Sequence, residues 1–269
     1  RLLDGGFPVA QISPAYNAGA RMARRRLRDA IEAQVDPAVL AELVDDESSP
    51  PPKLLVSAVD ATDGTFEIFT DRPAEGTERA DDAWLDERST PLSIDAVLAS
   101  ASVPTLFEGV RMPDEPGGPV HEYWDGLFSQ NPPIRNLLDG PDRAGAKPDE
   151  IWLVRINPTT RRGDLSTLAE IADRRNELAG SLSLAQELHF VDQVNDWVAD
   201  GVLPRERYKP VTVRALELDE TRLDGERTLR TASKLDRRAG FIEDLMVLGE
   251  RQADEFLADR DAHHLLGPA

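Results

Sequence analysis

At 269 residues, 40% of them hydrophobic, the chain is long enough to bury the core of a large domain. Its net charge of −19 creates a field that repels nucleic acid, so a nucleic-acid-binding function is not expected. The absence of cysteine excludes disulfides, thiolate metal ligands and a cysteine nucleophile, and it fits a reducing cytoplasm.

The first part of the chain predicts a helix followed by a hairpin. Residues 17–34 place apolar side chains at helical spacing, with Asn17 as a candidate N-cap. Residues 53–59 form a near-continuous apolar run, which is typical of a buried strand. Apolar and polar side chains alternate over residues 65–70, which predicts the antiparallel return strand. The acidic, irregular residues 71–90 predict an exposed loop.

A short helix and a strand with a polar end come next. Ser93 is the candidate N-cap of a helix that extends to about residue 100. Residues 121–133 combine aromatic strand residues with an Asp125-Gly126 pair and a closing Asn-Pro-Pro corner. Because open α/β folds hold their chemistry at sheet ends of this kind, Asp125 is the first candidate for a functional carboxylate. The alternative is a plain turn aspartate that caps backbone N–H groups.

The second half of the chain predicts further strands and helices in alternation. The predicted strands are 149–157 and 208–218, and the predicted helices are 165–179, 182–199 and 239–258. Strands interspersed with helices indicate the α/β class, with helices that cover a sheet. No internal repeat is evident, and no linker divides the chain in two.

Three segments, in this order, resemble the patatin-like phospholipases. They are the buried strand 54–59 with its hairpin, the helix exit 97–107 (similar to A-S-x-A-x-P-x-x-F), and residues 123–133 (similar to D-G-G/A…N-x-P). Together they cover roughly residues 50–160. The resemblance implies a three-layer α/β/α fold with a central, mostly parallel sheet. It implies one domain over residues 1–269, in which 160–269 form a mainly helical C-terminal extension.

The resemblance also implies a serine acyl hydrolase of phospholipase or esterase type, which acts on lipid acyl esters through a Ser–Asp dyad. Asp125 matches the dyad aspartate, and Gly126 and Asn131 would support the adjoining loop and the oxyanion. No metal and no organic cofactor are implied. The family's serine stands in a G-x-S-x-G elbow, and this sequence has neither that motif nor a Gly-rich oxyanion loop. We therefore expect a C-terminal portion that begins after the elbow and is inactive alone.

One departure from the family motif keeps other functions open. Leu127 stands where the family has Gly or Ala, and a bulky residue there would narrow the site. The alternative is a non-catalytic protein of the same fold that binds acyl lipid or a membrane surface. A further alternative is a structural or partner-binding α/β domain whose resemblance is coincidental. The expected location is cytoplasmic, with peripheral membrane contact as an option.

The one basic segment of this acidic chain lies at residues 21–28. Its Arg24, Arg25 and Arg28 either form ion pairs with nearby acidic residues or contact an anionic head group. The histidines give two further alternatives. Side chains alternate between the two faces of a strand, so His121 lies on the same face as Asp125, four residues later. It is either an edge histidine or a catalytic one. His263 and His264 are predicted to lie in a frayed tail without metal-ligand partners.

Overall fold

The chain has two compact units, residues 1–133 and 134–269, each with its own sheet and core. The mixed α/β class predicted from the sequence is confirmed. The computed structural model describes residues 18–35, 54–70, 87–104, 106–113, 117–128, 130–138, 144–157, 160, 164–223, 229, 233 and 236–267.

The described residues of the first unit form two helices and a five-stranded sheet of order β3-β2-β1-β5-β4. Its elements are α1 (Ala18–Glu32), β1 (Leu55–Asp60), β2 (Phe66–Thr70), β3 (Glu87–Pro91), α2 (Ile94–Ser100), β4 (Val110–Pro113), β5 (Val120–Asp125) and a 3-10 turn (Gly126–Phe128).

The pairing of this sheet departs from the predicted parallel arrangement. Among the strands described in this sheet, β2 and β3 run parallel, whereas β1–β2, β1–β5 and β4–β5 are antiparallel. The predicted mostly parallel central sheet is therefore not confirmed for this unit, and the three-layer arrangement remains a prediction. The antiparallel β1–β2 hairpin agrees with the sequence prediction. β4 and β5 are likewise joined by a short connection, residues 114–119, which can only return the chain antiparallel.

The core of the first unit lies between this sheet and its two helices. The buried residues are Ala58, Phe69, Ala96, Leu98, Ala99, Val110 and Tyr123. Leu27 and Ile31 of α1 pack against them, so the apolar face predicted for this helix does face the core. Ser93 caps α2 as predicted, because its Oγ accepts the Ala96 N–H at 3.1 Å.

The second unit is a three-stranded sheet of order β6-β7-β8 with helices. Its elements are α3 (Ile134–Leu138), a 3-10 turn (Ala144–Ala146), β6 (Glu150–Arg155), α4 (Leu168–Ala199), β7 (Thr212–Glu217), a 3-10 turn (Glu220–Arg222), α5 (Ala239–Ala258), a 3-10 turn (Arg260–His263) and β8 (His264–Leu266). β6 and β7 are parallel because a crossover that contains α4 joins them. Helix α5 has the bounds predicted for it.

Helix α4 is one continuous helix of 32 residues where two were predicted. Gly180 lies in the gap between the two predicted helices, and a glycine inside a helix costs only about 1 kcal/mol, which packing can offset. Gly180 is buried. The helix begins with a capping box: Thr167 Oγ1 accepts the Glu170 N–H at 3.2 Å, and Glu170 Oε2 accepts the Thr167 N–H at 3.0 Å.

Helix α4 is joined to the start of β7 by one buried side chain. The Asn195 Oδ1 accepts the Val211 N–H at 2.8 Å, and the Asn195 Nδ2 donates to the Val211 carbonyl at 2.9 Å. Both residues are buried, so both peptide groups of this contact are satisfied without water.

Two predicted irregular segments contain strands. Residues 87–91 form β3 beside β2, although they belong to the predicted loop 71–90, whose first part lies outside the described residues. The predicted frayed tail is wrong for His263 and His264, because β8 pairs antiparallel with β7. Asn17 lies outside the described residues. None of the described helices combines the length and apolar character that crossing a membrane requires.

Candidate active site

Asp125 is the last residue of β5, and three segments of the first unit meet around it. In the sheet it pairs with Ala58 of β1. Its main-chain N–H donates to the carbonyl oxygen of Ser102 at 3.0 Å, just after α2 ends. The buried strand, the helix exit and the Asp-Gly turn, which carried the resemblance, are therefore direct neighbours.

The carboxylate of Asp125 is half-buried and oriented by its own turn. Its Oδ1 accepts the Leu127 N–H at 2.8 Å. This contact is the turn-capping interaction that was the alternative to a catalytic role. It is compatible with both, since an oriented carboxylate is also what a proton acceptor requires.

Gly126 lies tightly against β1. A Cβ atom built on it would lie 2.5 Å from the carbonyl oxygen of Ser57 and even closer to the Ser57 Oγ. No real Cβ tolerates such separations, so glycine is the residue that lets the chain turn directly after Asp125.

Ser57 also holds the far end of this loop. Its Oγ donates to the main-chain carbonyl of Gln130 at 2.6 Å, and both residues are buried. Neither residue belongs to a recognisable sequence motif. The available signal was one hydroxyl side chain inside an otherwise apolar strand, because a hydroxyl buried there needs a partner.

The other candidate residues of segment 121–133 do not share the contacts of Asp125 and Gly126. Asn131 is exposed and Leu127 is half-buried, so the predicted support by Asn131 stays a prediction. His121 lies at the opposite end of β5, about 13 Å from Asp125 at the usual rise per residue. Its Nδ1 lies 2.5 Å from Asp60 Oδ2, so the structure pairs this histidine with another carboxylate.

Two of the three arginines proposed for an anionic surface form ion pairs. Arg24 donates to the Gly109 carbonyl at 3.2 Å and lies 3.2 Å from Glu108 Oε2. Arg28 pairs with Asp95 of α2, and with Glu32 one turn along α1 at 3.4 Å. Arg25 is exposed. The ion-pair alternative therefore describes Arg24 and Arg28, whereas Arg25 faces solvent.

Residues 8–138 match the family model described as patatin-like phospholipase. This span runs from before α1 to the end of α3, and it includes Asp125 and the two segments in contact with it. The predicted resemblance is confirmed for this span, which begins and ends earlier than the roughly 50–160 inferred from motifs. No curated protein matches the chain.

Proposed function

We propose that the protein hydrolyses lipid acyl esters, as a serine acyl hydrolase of phospholipase or esterase type. The observation that carries this proposal is the placement of Asp125 inside the patatin-like span. It ends a strand, its carboxylate is oriented by the Leu127 N–H, and its amide is fixed by Ser102. A carboxylate at the end of a sheet strand, held by its own turn, is suited to accept a proton from a nucleophile.

In the proposed mechanism Asp125 acts directly on a serine, with no histidine between them. The serine hydroxyl attacks the acyl carbonyl while Asp125 accepts its proton, and the alcohol leaves with a proton returned from Asp125. Water then attacks the acyl-enzyme and gives its proton to Asp125, which returns a proton to the departing serine oxygen as the carboxylic acid is released. Backbone N–H donors would stabilise the oxyanion of both steps. Because the sequence contains no G-x-S-x-G, the proposal assigns this serine to a segment that precedes Arg1.

Gly126 and Asn131 are proposed as loop support in this mechanism. The loop between them begins at the close contact of Gly126 with Ser57 and is held near its end by the bond from Ser57 to Gln130. With both ends attached to β1, the direction of the Asp125 carboxylate depends on the rigid sheet rather than on a free turn.

A second candidate function is favoured by two features of the sequence. The sequence contains no G-x-S-x-G, and Leu127 replaces the small residue of the family motif. A protein with this fold and no nucleophile would bind acyl lipid or a membrane surface without hydrolysing it. Arg25 is exposed on α1, as are Arg21 and Arg26, and is available for peripheral contact with an anionic surface.

The test uses the whole protein, with any residues encoded before Arg1, and a fluorophosphonate probe that labels activated serines. The variant is Asp125→Asn, whose Oδ1 still accepts the Leu127 N–H. The matched control is Asp219→Asn, because Asp219 Oδ1 accepts the Thr221 N–H in the same way at 3.0 Å.

We expect one labelled serine, with labelling about a hundredfold slower in Asp125→Asn and unchanged in Asp219→Asn. Equal labelling rates in both variants would contradict a role of Asp125 in the dyad. A folded protein that is never labelled, but sediments with lipid vesicles, would establish the binding function instead.

A further inference from the structure

Three potential metal ligands converge at the end of β1 opposite to the Asp125 turn. Asp60 ends β1, Asp63 lies in the turn that follows, and His121 is on the neighbouring strand β5. The ligating atoms of the three side chains all lie within 4.8 Å of one another. The His121 Nδ1 is 2.5 Å from Asp60 Oδ2 and 3.9 Å from Asp63 Oδ2.

The two carboxylates are oriented in the same manner. Asp60 Oδ1 accepts the Thr62 N–H at 2.8 Å, and Asp63 Oδ1 accepts the Thr65 N–H at 2.9 Å. In each residue the other oxygen, Oδ2, is the atom nearest the imidazole of His121. Backbone groups that fix one carboxylate oxygen and thereby aim the other are the usual outer shell of a metal site.

The burial of the three side chains is graded from the core to solvent. The Asp60 side chain is 0% exposed, His121 is 14% exposed and Asp63 is 44% exposed. A buried carboxylate requires a compensating charge. A cation bound between the three side chains would supply that charge to the buried Asp60 and would take the exposed Asp63 as a further ligand.

We propose that Asp60, Asp63 and His121 bind a divalent transition-metal ion of the zinc class. One imidazole nitrogen with two carboxylate oxygens and no thiolate suits Zn²⁺ or Co²⁺, whereas Mg²⁺ and Ca²⁺ prefer oxygen ligands throughout. A tetrahedral zinc ion holds ligand atoms about 3.4 Å apart. The 3.9 Å contact would therefore shorten by rotation of the exposed Asp63, and the 2.5 Å contact would widen by a small shift of His121 away from the buried Asp60. Three protein ligands leave the fourth position to water on the Asp63 side.

The site does not depend on the proposed hydrolase. It lies about four residues along β5 from Asp125, and zinc has no role in the Ser–Asp chemistry. Failure of one proposal therefore leaves the other intact, because metal binding and serine labelling are measured separately.

The test is calorimetric titration of the chelator-treated 269-residue chain with ZnCl₂, and a second titration with Co²⁺ followed by its visible absorption. Asp63→Asn removes one charge but leaves an oxygen to accept the Thr65 N–H. Asp219→Asn is the matched control, since its Oδ1 accepts both the Thr221 N–H and the Thr221 hydroxyl, as Asp63 Oδ1 does with Thr65. His121→Gln is the second test variant, and His264→Gln, at an exposed position, is its control.

We expect one Zn²⁺ per chain, with affinity at least about tenfold weaker in Asp63→Asn and in His121→Gln and unchanged in both controls. The melting temperature of the wild-type chain should also rise with Zn²⁺, and that of His121→Gln should not. The absence of one-to-one binding would overturn the proposal and leave a simple Asp60–His121 ion pair. Binding lost in His264→Gln but kept in Asp63→Asn would overturn it equally.

Discussion

The main-chain N–H of Asp125 donates a hydrogen bond to the carbonyl oxygen of Ser102 over 3.0 Å. Ser102 is itself 2% exposed, and its Oγ donates to the Leu98 carbonyl of α2 at 2.7 Å. The end of helix α2 and the end of strand β5 therefore form one hydrogen-bonded corner. Any change that moves the helix end also moves the backbone of the proposed catalytic aspartate.

Gly126→Ala should destabilise the first unit. The added methyl group would overlap with the Ser57 carbonyl, which belongs to a central strand and cannot shift alone. We expect the free energy of unfolding to fall by about 1–3 kcal/mol, measured by chemical denaturation. Gly145→Ala is the control, because nothing lies within 4 Å of a Cβ placed there. Equal stabilities of the two variants would show that the loop after Asp125 can relax.

Ser57→Ala should cost stability through the partner that it leaves behind. The Gln130 carbonyl would lose its 2.6 Å donor while it stays buried, and such a group costs about 1–3 kcal/mol. Ser183→Ala is the comparison, because Ser183 Oγ donates only to Gly180 within the same helix, at 3.1 Å. We expect that variant to stay within about 0.5 kcal/mol of the wild type. If urea unfolding gave the same loss of unfolding free energy for Ser57→Ala and Ser183→Ala, the Ser57 contact would have no special role.

Glu187 should make stability depend on pH. Burial raises the pKa of its carboxyl above the ordinary value of 4.5, despite hydrogen bonds from the Ile134 and Arg135 backbones. The folded state then holds this proton more tightly than the unfolded state, so its contribution to stability is lost as pH rises from about 4.5 through the folded pKa. Glu187→Gln keeps an acceptor for the Ile134 N–H and does not titrate.

The advantage of the wild type over Glu187→Gln should therefore be greatest near pH 4 and shrink towards pH 7. Urea unfolding of both proteins across this range measures the difference directly. Parallel pH profiles would show that the pKa of Glu187 is the same in the folded and unfolded chain.

Arg24→Ala and Arg25→Ala remove the same charge from neighbouring positions of α1. Arg24 contacts the Gly109 carbonyl and Glu108, so its loss should lower the free energy of unfolding by about 0.5–1.5 kcal/mol. Arg25 is exposed, and its loss should change stability by less than about 0.5 kcal/mol. Binding to anionic vesicles should weaken more in Arg25→Ala than in Arg24→Ala. Equal vesicle binding by Arg25→Ala and the wild type would argue against contact with lipid through this helix.

The elements with strong periodicity were predictable from sequence, whereas strand pairing beyond the β1–β2 hairpin was not. The hairpin of β1 and β2, the capped helix α2 and helix α5 all follow from local pattern and capping chemistry. A continuous apolar run such as that of β1 indicates only that both faces are covered. It carries no information on whether the neighbouring strand runs parallel or antiparallel, and that direction decided the character of the sheet.

Three short strands, β3, β4 and β8, were missed because each is too short for a periodic pattern and is ordered by the strand it pairs with. β4 has only four residues and ends at Pro113, and it is a strand because β5 pairs with it. β8 has three residues beside β7. At the candidate site the position of Asp125 was predictable, because a motif marks it. The contacts of Ser57 depend on a loop about seventy residues away, and no local pattern encodes them.

The double contact between Asn195 and Val211 has a consequence for exchange with solvent. A side-chain amide that both accepts from and donates to one residue imitates a neighbouring strand. The Val211 amide precedes the first residue of β7, yet it should exchange its hydrogen for deuterium as slowly as an amide within the sheet. Its protection would then report the opening of helix α4 and not fraying of the strand, which makes one backbone position a probe of the longest helix in the described chain.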